Sequence, residues 1–460
     1  MTFLGIEIPI QNAPPLDPGF IPLSLFRRAF LEQAKKPIAV CVERRNGLRY
    51  VHDTFITGTN TEADRYFVER CVKFLLWTKG GFRVTICGDE GIAAYIAEVY
   101  SPQGKRAFDN EFMARVYERP FEALSLPLEQ KPPQNEAASP AGGHWEGCRI
   151  GFDAGGSDRK VSAVIDGEVV YSEEVVWHPK TSPDPAYHFD GIVGAFKTAA
   201  SKMPRVDSIG VSSAGIYFEN RTMVASLFLA VPMELFESRV KDIYIRAAKE
   251  IGQAAGEPGG FVPLTVVDDG NVTALAGAME LGDNNVLGIA MGTSQAGGFV
   301  DADGNLPGWL NELAFTPLDA NPAAMADEWS GDIGCGVKYF SQDGVIKLAG
   351  NGGIALDPAL TPGEKLKIVQ GMLVKGDPAA VDIYRSIGCY LGHALPLYWE
   401  FYGFKYVLLL GRVMSGEGGN IIAETAKRVL AEEYPGLDII PHVPDEKSRR
   451  VGQSVAAASL

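Results

Sequence analysis

The chain has 460 residues, 46% of them hydrophobic and 22% charged, with a formal net charge of −15. That length holds about three domain-sized units or two large ones, and the acidic balance excludes a surface built to grip nucleic-acid phosphates, which needs clustered Lys and Arg. Six cysteines lie far apart without a Cys-x-x-Cys pair, which argues against a disulfide scaffold or a zinc ribbon; with no basic leader and no apolar run of about 18 residues, a cytoplasmic protein without a membrane partner is expected.

Residues 1–125 read as an N-terminal α/β domain. After a lead-in at Pro14 and Pro15, residues 38–42 and 48–51 form two predicted strands joined by a turn at Asn46 and Gly47. Phe67, Cys71, Phe74 and Leu75 give residues 62–77 a helical period, residues 82–86 make another strand and residues 91–100 another helix. No catalytic constellation stands out here: Asp89 and Glu90 read as a solvated loop, and His52 as a surface histidine. Residues 126–146 then collect Pro127, Pro132, Pro133, Pro140, Gly142 and Gly143 with few apolar anchors, which is the signature of a linker.

The main body, residues 147–460, opens on a Gly-rich hairpin. An apolar strand reaches Asp153, turns at Gly155, Gly156 and Ser157, and returns as a second strand to Ile165. Glycines let backbone N–H groups approach an anion, and Asp153 offers a hard oxygen ligand for Mg²⁺; taken alone, the loop is more often a plain Gly-Gly hairpin. A third strand follows over residues 168–176 and a helix near 191–202. Residues 208–215 read as a buried strand, and Gly215 at its end suits close approach of a ligand or tight sheet packing equally.

A strand over residues 264–267 runs into Asp268, Asp269, Gly270 and Asn271, and a helical pattern starts at Asn271. The acidic pair lies where a strand hands over to a helix N-terminus, where Asp most often caps. A second Gly-rich hairpin, residues 286–300, carries Gly292, Thr293, Gly297 and Gly298, and its likeness to the first suggests two similar lobes. A predicted strand over 406–410 then opens onto Gly411, Gly416 and a helix from about 420, a place where α/β proteins bind nucleotides or simply cap a helix with glycine. The chain closes in a predicted helix over 448–460.

Together these motifs resemble the sugar kinases of the ROK family, within the actin-like ATPase and hexokinase superfamily, over residues 148–460. Gly151 to Ser157 is similar to the family's Gly-x-Asp-x-Gly-Gly-Thr, and Gly292 to Gly298 to its Gly-Thr-Gly-x-Gly-Gly-Gly; Gly411 to Gly419 takes the adenosine-motif position. The run from Asp268 to Asn271 resembles the catalytic Asn-Asp-Ala-Asn, and Asn311 to Phe315 the Gly-Glu-Ile-Gly-His element. The resemblance implies a two-lobed actin-like ATPase (ribonuclease H-like) α/β fold, with lobes over 147–274 and 275–460, after the additional N-terminal α/β domain. It implies an ATP-dependent kinase acting on a hydroxyl of a hexose or hexose derivative. Asp269 would then be the general base. Asp153, Gly155, Gly156, Ser157, Gly292, Thr293, Gly297, Gly298, Gly411 and Gly416 would hold ATP, with Asp153 on Mg²⁺ directly or through water. Asp268, Asn271, Glu312 and Gly215 would face the sugar. Two departures stand out: Phe315 replaces the family's His, and a lone Cys335 replaces its zinc-binding cysteines, so no zinc is expected. These departures keep a non-catalytic sugar or nucleotide sensor as the alternative. A transcriptional repressor would need a basic helix-turn-helix, which residues 1–125 lack, and the superfamily's iron–sulfur activators would need suitably placed cysteines. The identity of the sugar and the assembly, a homodimer included, stay open.

Overall fold

The computed structural model describes residues 1–140, 142–256, 258–444 and 446–460. The mixed α/β chain divides into two compact units, one of residues 1–138, 289–297 and 307–443, the other of residues 139–288, 298–306 and 444–460. The first change of unit, between 138 and 139, falls within the expected linker of residues 126–146, and the next lies between 288 and 289.

In the second of these units, a five-stranded sheet runs in the order Glu168–Val176, Asp158–Ile165, Cys148–Ala154, Ser208–Ser213, Leu264–Asp268. The first Gly-rich hairpin is antiparallel, as its short turn requires, whereas Cys148–Ala154, Ser208–Ser213 and Leu264–Asp268 are mutually parallel. Parallel neighbours need long crossovers, and Pro185–Ala200 and Ile243–Ala255 are the helices that fill them. Ile150, Phe152, Val211, Phe196, Tyr244 and Ala247 pack into one buried core in these layers.

The C-terminal helix, Glu446–Ala458, lies on the same sheet. Arg149 donates to the carbonyls of Ala458 and Leu460, both at 2.6 Å, and the hydroxyls of Ser162 and Ser454 lie 2.8 Å apart. The helix comes so close that a Cβ on Gly151 would stand 1.8 Å from the Ser454 carbonyl oxygen, and one on Gly210 1.7 Å from that of Ala457. Gly151, which heads the phosphate-like motif in sequence, is therefore required by helix packing. Gly210→Ala should destabilise the protein by about 3 kcal/mol, since neither backbone can yield without moving the helix; a urea midpoint equal to the parent's would show that the helix is not seated there.

In the other unit, residues 1–138 build a four-stranded sheet in the order Arg49–Ile56, Lys36–Glu43, Arg83–Cys87, Glu122–Leu126. The expected strands and the helix Thr61–Thr78 are all present; Asn60 caps that helix by accepting from the Ala63 N–H. The second Gly-rich hairpin, Val286–Met291 and Gln295–Val300, joins a sheet with Tyr406–Leu410 and Ile440–His442. Long helices Pro378–Tyr402 and Glu417–Glu433 pack together beside it.

A buried set of charges is one of the contacts that tie residues 1–138 to the rest of this unit. Glu69, Arg70 and Lys73 share one face of Thr61–Thr78, Arg106 and Asp109 lie at the start of helix Ala107–Tyr117, and Asp332 comes from a distant loop. Arg70 grips Glu69 through two nitrogens at 2.5 and 2.6 Å and reaches Asp332 at 2.9 Å. Arg106 pairs with Glu69 and Asp332, both at 2.5 Å, and Lys73 with Asp109 at 3.0 Å and Asp332 at 3.4 Å. None of the six side chains is more than 5% exposed. Burial opposes the ionisation of Asp332, yet Arg70 and Lys73 hold its carboxyl below the ordinary range.

Candidate functional site

The sheet of residues 148–268 delivers its polar residues at the C-terminal ends of the parallel strands. Register places Asp153 beside Ser212, and Ser213 beside Asp268. Open α/β sheets bind ligands at these strand ends, because loops and helix N-termini converge there. Asp153 is 5% exposed, and burial pushes its carboxyl up to about 7, with Asp269 and Asp158 adding to the rise against the Lys160 ammonium and the Ser212 hydroxyl. Asp269 opens the helix Asp269–Leu281; burial raises its carboxyl too, against the N–H groups of Gly270 and of its own backbone and the Lys180 ammonium. Two neighbouring carboxyls, each easier to protonate than usual, are thus held on the ends of strands that flank a third.

The raised pKa of Asp153 has a stability consequence whose sign is fixed. The folded protein holds this proton more tightly than the unfolded chain, so the group's contribution is fully present below about pH 4 and lost as pH rises through about 7. Asp153→Asn should therefore unfold at higher urea than the parent at pH 8, by about 2 kcal/mol, with the gap closing at pH 4. A variant less stable than the parent at pH 8 would contradict the assignment.

Asp268 is the N-cap of the helix: its carboxylate accepts from the Asn271 N–H at 2.8 Å and from the Asn271 side-chain amide at 2.5 Å. The Asn271 side-chain Oδ1 in turn accepts from the Phe299 N–H at 2.9 Å. These two residues, given to the sugar in sequence, hold the helix start. Gly298 lies against the same turn, where a Cβ would come within 2.0 Å of the Gly270 carbonyl oxygen. Gly215, at φ 145°, leaves no room beside the Val224 carbonyl.

The sequence reading missed three hydroxyls at this strand end. Tyr217 and Tyr244 donate to the Ser213 oxygen at 2.7 and 2.8 Å, and burial pushes both phenols up, with a smaller addition from Asp269 at Tyr217 and from Asp153 at Tyr244. Only the small polar residues ending the strand hinted at them, because Tyr217 and Tyr244 arrive from separate elements. Gly155, Gly156 and Ser157 form the hairpin turn beyond Asp153, and the Ser157 hydroxyl donates to Asp158 at 3.0 Å.

The remaining sequence-predicted residues belong to the other unit. Gly292 and Thr293 form the turn of the second hairpin, with the Gly292 N–H on the Ser294 carbonyl at 2.9 Å. Gly297 lies against Leu313 and Asn311, and Gly411, at φ 97°, against the Met291 carbonyl. Gly416, at φ 67°, precedes the helix Glu417–Glu433, and no side chain caps that helix. The Asn311 and Glu312 N–H groups bond the carbonyls of Thr78 and Trp77, both at 2.9 Å. Phe315 stacks on Trp77 at 4.2 Å between ring centres, with Phe108 and Phe112 around it. The departure from His at this position is thus matched by aromatic residues of the N-terminal segment. Cys335 is buried, its thiol pushed up by burial. Among the described residues no three His, Cys, Asp or Glu side chains gather to hold a metal, and no helix is long and apolar enough to cross a membrane.

No protein-family model and no curated protein matches the chain. Solved structures do. A ROK hexokinase from Thermus thermophilus is 18% identical, with a TM-score of 0.51 over 68% of this chain and 96% of that one. A ROK family transcriptional regulator, a homologue of the E. coli MLC protein, is 18% identical with a TM-score of 0.51 over 68% of this chain and 78% of that one. A ROK family glucokinase from Streptomyces griseus, in complex with glucose and AMPPNP, is 18% identical with a TM-score of 0.48 over 68% of this chain and 98% of that one. At such identity the likeness is one of fold, and this chain has the two-lobed, actin-like α/β fold of the ROK sugar kinases.

Proposed function

We propose that the protein transfers the γ-phosphoryl group of ATP to a hydroxyl of a hexose or hexose derivative. The observation that carries this reading is the pair of carboxyls, Asp153 and Asp269, on the ends of parallel strands that flank Ser208–Ser213. Phosphoryl transfer asks little covalent chemistry of a protein and mostly needs positioning and charge stabilisation. Asp269 accepts the proton of the acceptor hydroxyl as its oxygen bonds the γ-phosphorus and the bond to the ADP oxygen breaks. A carboxyl raised from the usual range is a better base at neutral pH than an ordinary one. The turn at Gly155–Gly156, in the same unit as both carboxyls, offers backbone donors for a phosphate.

A hard divalent cation fits beside Asp153: two buried carboxyls suit Mg²⁺, which keeps water and phosphate oxygens as its other ligands. When bound, it would offset the charge of the β- and γ-phosphates.

The test is a coupled ADP-release assay with Mg-ATP across hexoses, amino sugars and N-acetylated sugars. Sugar-dependent release is expected with at least one of them. Binding of a sugar or nucleotide without release would favour the second reading, a sensor that kept the fold. Two observations support that alternative: Phe315 within its aromatic cluster at the family's His position, and the likeness in fold to a regulator.

A further inference from the structure

The turn at Gly155–Gly156 lacks the lysine that follows the glycines in the best-known phosphate loops, where it reaches the β- and γ-phosphates. The fold brings one from elsewhere. Lys180 lies in the short turn Pro179–Thr181, after the outermost strand of the sheet. Its side chain crosses the glycine turn: a Cβ on Gly156 would stand 2.8 Å from Lys180 Cε and 3.1 Å from Nζ. The same ammonium is close enough to Asp269 to favour its ionised form. Lys180 is exposed, and among the described residues no carboxylate is within ion-pairing distance of it. Lys160, the neighbouring cation, is instead 3.5 Å from Asp158.

We infer that Lys180 is a phosphate-contacting residue of this site, binding the terminal phosphate of a nucleoside triphosphate over the Gly155–Gly156 turn and beside Asp269. The inference rests on the kinase reading for its catalytic consequence, but not for binding. An ammonium over the glycine turn, and near enough to Asp269 to favour its charged form, can meet a phosphate there, and a charged hydrogen bond to phosphate is stronger than a neutral one. The missing side chain on Gly156 then has a reason: a methyl group there would push the lysine off the turn. No residue near Gly156 in sequence signals this, because Lys180 reaches it only through the pairing of three strands.

Titration calorimetry on the full chain tests it, with Mg-ADP and with the non-hydrolysable imido analogue of Mg-ATP as probes. Lys180→Met should weaken the triphosphate analogue by roughly 10- to 100-fold and ADP by no more than about 3-fold. Lys180→Arg should restore most of the loss. Gly156→Ala should shift the same ratio in the same direction, with the lysine still present. An unchanged ratio in Lys180→Met, or no nucleotide binding by the parent, would overturn the inference. If the ratio shifts as stated while no sugar is phosphorylated, the assignment of Lys180 stands and the kinase reading falls. If sugar is phosphorylated and the ratio does not move, the reverse holds.

Discussion

Asp269→Asn should lose sugar-dependent ADP release by about 1,000-fold or more while binding nucleotide as the parent does. The substitution keeps the shape of the side chain, and the helix Asp269–Leu281 keeps its cap, because the capping carboxylate is Asp268. On the proposed mechanism, what goes is the ability to accept the hydroxyl proton. Burial raises the Asp269 carboxyl, so the parent's rate should also fall as pH drops, beginning above the ordinary carboxylate range. Asp268→Ala separates the two acidic neighbours: it should cost about 1 kcal/mol of stability as a lost cap, far less in rate than the change at Asp269. Full activity in Asp269→Asn would remove it from the role of base.

Arg106→Met should destabilise the protein by about 3–5 kcal/mol, since it leaves Glu69 and Asp332 buried with one fewer cation each. The two carboxylates have little exposed surface through which water can replace the guanidinium. The informative comparison is with Lys73 and Asp109, which pair at 3.0 Å. Lys73→Met alone strands Asp109, whereas Lys73→Met with Asp109→Leu removes both charges together. The double variant should be more stable than Lys73→Met alone, because replacing both partners is often near neutral and breaking a pair is not. Urea unfolding of Lys73→Met, Asp109→Leu and the double variant reads this directly; single and double variants that simply add would show that the charges act independently.

The legible parts of the molecule were those written in local periodicity. The alternation around residues 38–51, the helical period over 62–77 and the two Gly-rich hairpins all correspond to elements of the structure. Boundaries drifted by a few residues where capping decides them: the helix after Asp268 starts at Asp269 rather than Asn271, because the Asp268 side chain satisfies its first turn. The reading of His52 as a surface residue also changes. Its ring lies 4.9 Å from that of Phe401 and its pKa is lowered to about 3, by burial first and the Arg27 charge second. Strand alternation alone does not reveal what covers an outward face.

Sequence by itself determined which stretches turn tightly, which are buried as strands, and that an acidic pair stands at a strand-to-helix junction, since each follows from side-chain type and spacing along a few residues. Tertiary structure alone decided the rest. Gly151 and Gly210 are glycine because a helix from the far end of the chain lies on them. Arg70, Lys73 and Arg106 of the N-terminal segment meet Asp332 of a loop far along the chain, and Trp77 meets Phe315. Ser213 meets Tyr244 because the helix Ile243–Ala255 packs on the sheet, and Gly156 meets Lys180 through strand pairing. In each case the energy lies in contact or charge compensation between residues remote in sequence, and no local pattern encodes a partner that only the closed fold brings near.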